Sequence, residues 1–262
     1  MAHRYSEDGM RPLRWYRELS SSQGRTDAGA FLIEGERAVG QFIRNNPDKI
    51  IELLCVPEAA DMFHGFPKRM ISRSKMHSIC SAKTPQGIAA VAELPEGVYE
   101  HKLPGEIGDS VLLLEDVQDP GNIGALIRTG AAFGFSGVLM SRQCADPFSA
   151  KCVQSSAGTI LTLWVRRTEG YLDLARELVS AGYVLTAADL TGVPEFGVLE
   201  KADRFILALG NEGGGLSDDV LSMSAHRVKI PIADEKVQSL NVALSGAILM
   251  HRRFERTHSK TP

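Results

Sequence analysis

The chain has 262 residues, of which 44% are hydrophobic and 23% are charged, and this composition is typical of a globular protein. The length is enough for two domains with buried cores. A net charge of −3 argues against indiscriminate attraction to polyanions but is compatible with a local basic face.

Composition also excludes several kinds of site. The four cysteines form no CxxC pair, which argues against a zinc ribbon or a dithiol redox motif. The seven histidines lack the i, i+4 spacing of a helical metal site, so we expect no metal. No apolar run reaches the roughly 18 residues of a membrane helix, and the N-terminal segment has no signal-peptide core. We therefore expect a cytoplasmic protein with no membrane partner.

The N-terminal part of the chain alternates helix and strand signals and is predicted to form a small α/β domain, residues 1–97. The predicted elements are a helix at Arg11–Leu19, a polar loop at Ser20–Gly24, a helix at Gly35–Arg44, and strands at Ile50–Val56 and Gly87–Ala92. Two prolines and two glycines between Pro95 and Gly105 break both periodicities. We place a linker there, at residues 98–107.

Beyond the linker, residues 108–262 are predicted to form a second domain in which strands alternate with helices. Its predicted elements are Val111–Glu115, Asn122–Phe133, Gly137–Met140, Tyr171–Ala181, Val184–Ala188, Arg204–Leu209, Val228–Pro231 and a final helix from Asn241 to about Glu255. Such alternation indicates a mostly parallel sheet covered on both faces. In sheets of this kind ligands bind beyond the carboxyl ends of the strands.

Three polar segments follow predicted strands of the second domain. They are Asp119–Gly134 (DPGNIGALIRTGAAFG), Leu207–Ser217 (LALGNEGGGLS) and Ile230–Ala243 (IPIADEKVQSLNVA). Because the carboxyl ends of parallel strands meet at one edge of a sheet, we expect the three segments to converge on one pocket.

The glycine-rich segment does not match a phosphate-binding motif. Gly210–Ser217 has the glycine spacing of a P-loop, but Leu216 stands where the motif requires lysine. The carboxylate of Glu212 would also repel a phosphate. The glycines alone are compatible with a simple tight turn.

Together, the three segments resemble the motifs of the SpoU branch of the SPOUT RNA methyltransferases. Members of this family transfer a methyl group from S-adenosylmethionine to a ribose 2′-hydroxyl of RNA. The N-terminal segments Phe31–Arg37 (FLIEGER) and Pro85–Val91 (PQGIAAV) resemble the substrate-binding domain of the same family, so the likeness covers nearly the whole chain.

The resemblance implies a fold and a cofactor. It implies an α/β SPOUT domain with a deep trefoil knot, a rare exception to the rule against threaded chains, preceded by a smaller α/β substrate-binding domain. The second and third motif loops would form the knot and hold S-adenosylmethionine. By position, the cofactor would contact Leu209, Gly210, Asn211, Ile230, Pro231 and Leu240. A residue without Cβ at position 210 would let backbone groups approach the ligand.

The resemblance also assigns catalytic roles, to Asn122, Arg128, Glu212, Ser239 and Asn241. Arg128 would be either the base or a group that clamps the adjacent phosphate and stabilises the alkoxide. Because guanidinium groups stay protonated in proteins, the second role has more weight. The other four would position the hydroxyl and the arginine, and Glu212 is a candidate partner of Arg128.

Each of these residues also has a purely structural interpretation. Asn122 and Ser239 are good helix N-caps, Glu212 can cap the following helix, and Arg128 can be a solvated helix residue. The small residues Ala243, Gly246 and Ala247 fit the homodimer contact that the family implies, but a core helix uses small residues too. The set as a whole favours the catalytic interpretation.

The third segment departs from the family pattern I-P-M-x-G-x-V-x-S-L-N, since it lacks the glycine and has one extra residue. Either Asp234, Glu235 and Lys236 bulge into solvent and leave the site intact, or they weaken cofactor binding. We prefer the first possibility because the polar residues of the motif are present.

The leading hypothesis is therefore a cytoplasmic, homodimeric, S-adenosylmethionine-dependent RNA 2′-O-methyltransferase. Its substrate is predicted to be ribosomal rather than transfer RNA, because a full N-terminal domain is typical of the ribosomal-RNA members. A second hypothesis is a non-catalytic RNA-binding or ribosome-assembly protein on the same fold. A third, an unrelated nucleotide-binding α/β enzyme, has little support without a P-loop or dinucleotide motif.

Overall fold

The structure, a computed structural model, describes residues 11–194, 196–199, 202–233 and 238–258. Its helices and strands are α1 (Leu13–Glu18), α2 (Ser22–Ala28), β1 (Ala30–Glu34), α3 (Glu36–Asn45), β2 (Ile50–Cys55), β3 (Lys68–Met70), α4 (Arg73–Ile79), β4 (Ile88–Glu93), β5 (Ser110–Leu114), α5 (Pro120–Ala132), β6 (Gly137–Ser141), α6 (Ala150–Ser155), β7 (Trp164–Thr168), α7 (Tyr171–Ser180), β8 (Val184–Val193), β9 (Phe205–Leu209), α8 (Asp218–Met223), β10 (His226–Val228) and α9 (Val242–His258). Short 3-10 helices lie at Pro47–Lys49, Pro57–Ala59 and Phe196–Leu199.

The chain divides into two compact units. The first contains the residues up to Glu96 together with Phe148–Leu161, and the second contains Gly97–Pro147 and the residues from Thr162 onward. The segment Phe148–Leu161 thus groups with the first unit, although it lies in sequence within the range predicted for the second domain. Residues 98–107, predicted as a linker, belong to the second unit.

The first unit is built on a mixed sheet with strand order β1-β4-β2-β3. Strand β4 is antiparallel to β1 and β2, whereas β3 is parallel to β2. The ring of Phe31 on β1 packs edge-to-face against Phe42 of α3 and Phe148, with ring centroids 5.9 and 4.9 Å away. The polar loop predicted at Ser20–Gly24 is wrong. Helix α2 begins at Ser22 because the Ser21 hydroxyl accepts the Gly24 N–H at 3.0 Å and caps the helix.

The second unit is built on a six-stranded sheet with order β10-β8-β9-β5-β6-β7, in which every pair is parallel. This confirms the predicted mostly parallel sheet. All residues of β5, β6 and β9 are buried, as expected for strands covered on both faces. The predicted strand Val228–Pro231 is shifted, because β10 ends at Val228 and Pro231 has no N–H to donate to a ladder.

Helices cover both faces of this sheet. On one face, α7 packs over a cluster that includes Leu113, Leu139 and Leu178. On the other, Gly130 of α5 lies against Leu112, and Gly246 of α9 lies against Leu126 and Leu209. A Cβ at position 246 would lie 2.4 Å from Leu126 Cδ2, so this glycine serves packing inside the chain. No helix within the described ranges is both long enough and apolar enough to span a membrane.

Candidate active site at the carboxyl edge of the parallel sheet

The two central strands of the parallel sheet bring the first and second polar segments together. Strand β5 pairs with β9, with Leu114 opposite Leu209, so both strands end at the same edge. Beyond β5, Asp119 caps α5 by accepting the Gly121 N–H at 2.6 Å. Asn122 is therefore not the N-cap but lies in the first turn of α5, with its side chain available for another partner.

A chain of hydrogen bonds joins one residue from each of the three segments. Asn122 Nδ2 donates to Glu212 Oε1 at 2.5 Å, and Asn122 Oδ1 accepts from Asn241 Nδ2 at 3.1 Å. Asn241 Oδ1 accepts the N–H groups of Ala243 and Leu244, at 2.9 and 3.3 Å, and thereby caps α9. Three residues predicted from separate motifs thus lie in one polar network.

The last helix, α9, does have a side-chain cap, but the capping residue is Asn241 and not Ser239. Helix α8 is capped by Ser217, whose hydroxyl accepts the Val220 N–H at 3.4 Å, so Glu212 is not a cap. Arg128 is exposed on α5, and its side chain makes no hydrogen bond or ion pair with any residue that the structure describes. Glu212, the suggested partner of Arg128, is bonded to Asn122 instead.

A pocket of about 530 Å³ lies beside this network. Its apolar lining includes Leu209, Leu216, Leu221, Ile230 and Leu240. Its polar lining includes Gly210, Asn211, Glu212, Gln238 and Ser239. Five of the six residues predicted to hold the cofactor therefore line one pocket, and the sixth, Pro231, is exposed and is not among the lining residues.

The glycine-rich loop on one side of the pocket, Gly210–Ser217, is folded tightly on itself. Asn211 and Gly215 exchange backbone hydrogen bonds of 3.1 and 2.9 Å, and Asn211 Oδ1 accepts the N–H groups of Gly213 and Gly214. A Cβ at Gly210 would lie 2.2 Å from the Gly215 carbonyl oxygen. The absence of a side chain at position 210 is thus required by the loop's own backbone.

A fourth segment that lines the pocket was not predicted. It is formed by Ala188–Thr191, which bulge out of β8 where its pairing with β10 jumps from Ala187 to Val193. Arg227 of β10 also lines the pocket and lies 3.8 Å from Asp189 through its NH1 and Oδ2 atoms. The sequence could have indicated this segment, because Asp189 follows an apolar run. The other three segments likewise place polar residues directly after a strand.

A buried carboxylate, Glu115, was also missed. It follows β5 directly, is 4% exposed, and accepts hydrogen bonds from Ser217 and from the Tyr171 hydroxyl. Burial, together with the bond to Glu115, raises the pKa of Tyr171 above its ordinary value, so the phenol remains a donor. In the sequence Glu115 continues an apolar run, which hides its polar role.

The arginines of the N-terminal segment are mostly engaged within the first unit. Arg11 NH1 lies 3.0 Å from Glu52 Oε1, and Arg14 Nε lies 2.8 Å from Glu18 Oε1. Arg25 is 2% exposed, and its NH1 donates to the carbonyl oxygens of Leu19 and Ser20. Arg25 is therefore a structural residue and not part of an exposed basic face.

Two predictions concern residues that the structure describes only in part, namely the loop at 234–236 and the absence of a metal site. The bulge suggested at Asp234, Glu235 and Lys236 lies outside the described residues. Within the described residues, no group of three or more His, Cys, Asp or Glu side chains is arranged to hold a metal ion.

Residues 109–251, which contain all three segments and the pocket, match the model of the SpoU rRNA Methylase family. The chain belongs to this family. It is 32% identical, over 90% of its length and 93% of the relative's, to the 23S rRNA (guanosine(2553)-2′-O)-methyltransferase RlmP of Bacillus subtilis.

Solved structures agree with this membership. A structure from Porphyromonas gingivalis, assigned to the TrmH family of RNA methyltransferases, superposes with a TM-score of 0.77 at 28% identity, over 96% of this chain and 98% of that one. The SpoU methyltransferase AviRb of Streptomyces viridochromogenes, solved in complex with AdoMet, shares the fold with a TM-score of 0.78 at 24% identity. That superposition covers 94% of this chain and 98% of AviRb. The α/β fold with a mostly parallel sheet is thus that of the SPOUT methyltransferases.

Proposed function

We propose that this protein is an S-adenosylmethionine-dependent RNA methyltransferase that methylates a ribose 2′-hydroxyl, with ribosomal RNA as its substrate. The observation that carries the proposal is the hydrogen-bond chain from Asn241 through Asn122 to Glu212, beside a pocket with the predicted cofactor residues. Family membership and the similarity to RlmP over nearly the full length of both chains support the same reaction.

The pocket fits S-adenosylmethionine in size and in chemistry. Its volume of about 530 Å³ lies within the usual range of ligand pockets, roughly 300–1,000 Å³. Leu209, Ile230 and Leu240 offer apolar surface for an adenine ring, while the loop at Gly210 and Asn211 offers backbone polar groups. When bound there, the cofactor would supply an electrophilic methyl group on a sulfonium.

The polar network is suited to orienting a hydroxyl. Glu212 is exposed and accepts one hydrogen bond from the chain's described residues, so its carboxylate retains acceptor capacity for a ribose O–H. Asn122 uses both ends of its amide and fixes Glu212 with respect to Asn241. Preorganised groups of this kind lower the barrier by aligning the nucleophile and by easing the loss of its proton.

Arg128 and Ser239 complete the proposed catalytic set. Arg128 is exposed on α5, the helix that carries Asn122, and its guanidinium can pair with an RNA phosphate or a developing alkoxide. We assign it that role rather than that of a base, because a protonated guanidinium has no acceptor. Ser239 lines the pocket, where its hydroxyl can hydrogen-bond the substrate.

The first unit is proposed to bind the RNA substrate. This is the role predicted from the sequence for the domain of residues 1–97.

The two loops that follow β9 and β10 are proposed to form the trefoil knot of the family. A cytoplasmic location accords with this substrate.

A homodimer is proposed through the exposed face of α9. Leu244 and Ile248 lie one turn apart on this helix and are 59% and 37% exposed, which is unusual for large apolar side chains on a helix that packs against α5. Leu244→Glu and Ile248→Glu should give monomers in light scattering. Met70→Glu, at an apolar residue of the first unit that is 48% exposed, should leave the oligomeric state unchanged. Monomeric wild type, or dimeric variants of α9, would contradict the proposal.

The function is tested with purified protein, labelled S-adenosylmethionine and RNA pools that lack the modification. We expect label in ribosomal RNA, none in transfer RNA, and a loss of at least about 100-fold in rate for Arg128→Ala. If no pool is labelled and the wild type does not bind the cofactor, the non-catalytic RNA-binding hypothesis replaces this one.

A further inference from the structure

Within the described residues, the buried carboxylate of Glu115 accepts hydrogen bonds from Ser217 and Tyr171. Its Oε2 accepts the Ser217 N–H at 2.7 Å, and its Oε1 accepts the Ser217 O–H at 2.7 Å and the Tyr171 O–H. Both oxygens of this carboxylate are therefore occupied by hydrogen bonds from the protein. With 4% exposure, Glu115 is shielded from water and does not need a ligand to satisfy it.

These bonds hold one end of the pocket loop Gly210–Ser217. Ser217 is both the last residue of that loop and the N-cap of α8. The other end of the loop is held by the same stretch of chain, since the Glu115 N–H donates to the Leu209 carbonyl at 3.0 Å. Asn211 Nδ2 also donates to the Asp116 carbonyl at 2.9 Å.

Asp116 is itself fixed in an uncommon conformation. Its φ of 56° lies in the left-handed region, which non-glycine residues rarely adopt. Ser141 holds it there, because its hydroxyl accepts the Asp116 N–H at 2.9 Å and lies 2.6 Å from Asp116 Oδ1. Two consecutive residues after β5 therefore fix both ends of a loop whose residues 210–216 all line the pocket.

We propose that Glu115 is a positioning residue for the cofactor pocket, whose carboxylate sets the position of the Gly210–Ser217 loop and thereby the affinity for S-adenosylmethionine. This inference rests on the proposed function, because it takes that cofactor as the ligand. Glu115 acts through Ser217 and the loop, and it does not line the pocket itself.

The decisive variant is Glu115→Gln, which keeps the size of the side chain but replaces one acceptor oxygen by an NH2 group. In one orientation of the amide, the new NH2 group faces the Ser217 N–H, donor against donor. In the other it faces the two hydroxyls, which must turn to accept, so their charge-assisted bonds to the carboxylate are replaced by weaker neutral ones. Calorimetric titration with S-adenosylmethionine, well below the melting temperature, should show the dissociation constant rising about tenfold or more.

The matched control is Ser110→Ala, at the opposite end of the same strand. The Ser110 hydroxyl accepts from Arg253 Nε at 3.3 Å and is remote in the sheet from the pocket edge. This variant should lower the melting temperature while leaving the dissociation constant unchanged. If Glu115→Gln also lowers the melting temperature and leaves the dissociation constant unchanged, the role of Glu115 is purely structural and the inference is overturned.

The outcomes separate the inference from the proposed function. If the wild type binds and Glu115→Gln binds equally well, the positioning role is wrong and the proposed function stands. If the wild type does not bind, the proposed function fails, and the inference fails with it. Should Glu115→Gln not fold, Ser217→Ala, which removes one of the three donors, should still weaken binding by about threefold. Unchanged binding by Ser217→Ala would then overturn the inference.

Discussion

Two carboxylates at the same edge of the parallel sheet are used in opposite ways. Glu115, directly after β5, is 4% exposed and receives three hydrogen bonds from Ser217 and Tyr171. Glu212, three residues after β9, is exposed and, among the described residues, receives one hydrogen bond, from Asn122. Because β5 and β9 are neighbouring strands, the two carboxylates lie in the same region of the molecule.

The difference in burial separates a structural role, that of Glu115, from a substrate-binding role, that of Glu212. A buried carboxylate is tolerated only when its oxygens are satisfied, so Glu115 directs its acceptor capacity to Ser217 and Tyr171, is closed to a ligand by its burial, and stabilises one arrangement of the loop. An exposed carboxylate with a single donor keeps that capacity. We therefore expect changes at the Glu212 network to affect methyl transfer with little effect on stability, and changes around Glu115 to affect stability and cofactor affinity.

The largest effect is expected in the exposed network. Asn122→Ala and Glu212→Ala should each lower the rate of methyl transfer by at least about 100-fold, because the hydroxyl loses its positioning groups. The free energy of unfolding should stay within about 0.5 kcal/mol of the wild type, since Glu212 is exposed and Asn122 is only partly buried. Asp218→Ala, which removes an exposed carboxylate from the neighbouring helix α8, is the control and should be neutral for transfer. Destabilisation in step with the loss of transfer would contradict the comparison.

A smaller effect on transfer, but a larger one on stability, is expected for Gly210→Ala. The new Cβ would meet the Gly215 carbonyl oxygen at 2.2 Å, so the loop must shift, at a cost of about 1–3 kcal/mol. Urea denaturation and cofactor titration should both report the change. Gly214→Ala places a Cβ in the same loop with nothing within 4 Å, and it should leave the free energy of unfolding nearly unchanged. Equal behaviour of the two variants would show that the loop is not tightly held.

The smallest effect is expected for Tyr171→Phe, which removes one donor to Glu115. It should lower the free energy of unfolding by about 1 kcal/mol at neutral pH. Burial and the bond to Glu115 raise the pKa of Tyr171 above its ordinary 10.0, so its stabilising contribution is complete below pH 10.0 and is lost as pH rises through the folded-state pKa. The gap between wild type and variant in urea denaturation should therefore narrow above pH 10.0. A constant gap from pH 7 to pH 11 would exclude this coupling.

Much of the site could be predicted because its residues lie at strand ends. Parallel strands bring their carboxyl ends to one edge whatever the lengths of the helices between them, so Asn122, Glu212 and Asn241 converge as the motifs indicated. The partners within the set could not be predicted. Asn122 and not Arg128 bonds to Glu212, because side-chain pairing depends on helix rotation and on which residue caps each helix.

Other features lay beyond sequence reasoning for different reasons. Glu115 follows four buried apolar residues and looked like the end of a strand, since its partners Tyr171 and Ser217 are distant in sequence. Helix α2 was missed because Ser20–Gly24 has loop-like composition, although a serine before such a segment is also an N-cap. The grouping of Phe148–Leu161 with the first unit depends on long-range packing, such as that of Phe148 on Phe31, which local patterns do not encode.

The most direct test of the central claim is to locate the transferred methyl group. Ribosomal RNA labelled by the wild-type protein with S-adenosylmethionine would be hydrolysed in alkali, which cleaves every linkage whose ribose 2′-hydroxyl is free. The account predicts that the label is recovered in an alkali-resistant dinucleotide, and that Asn122→Ala yields almost none. Label in ordinary mononucleotides would place the methyl on a base, and this result, like an absence of label, would contradict the account.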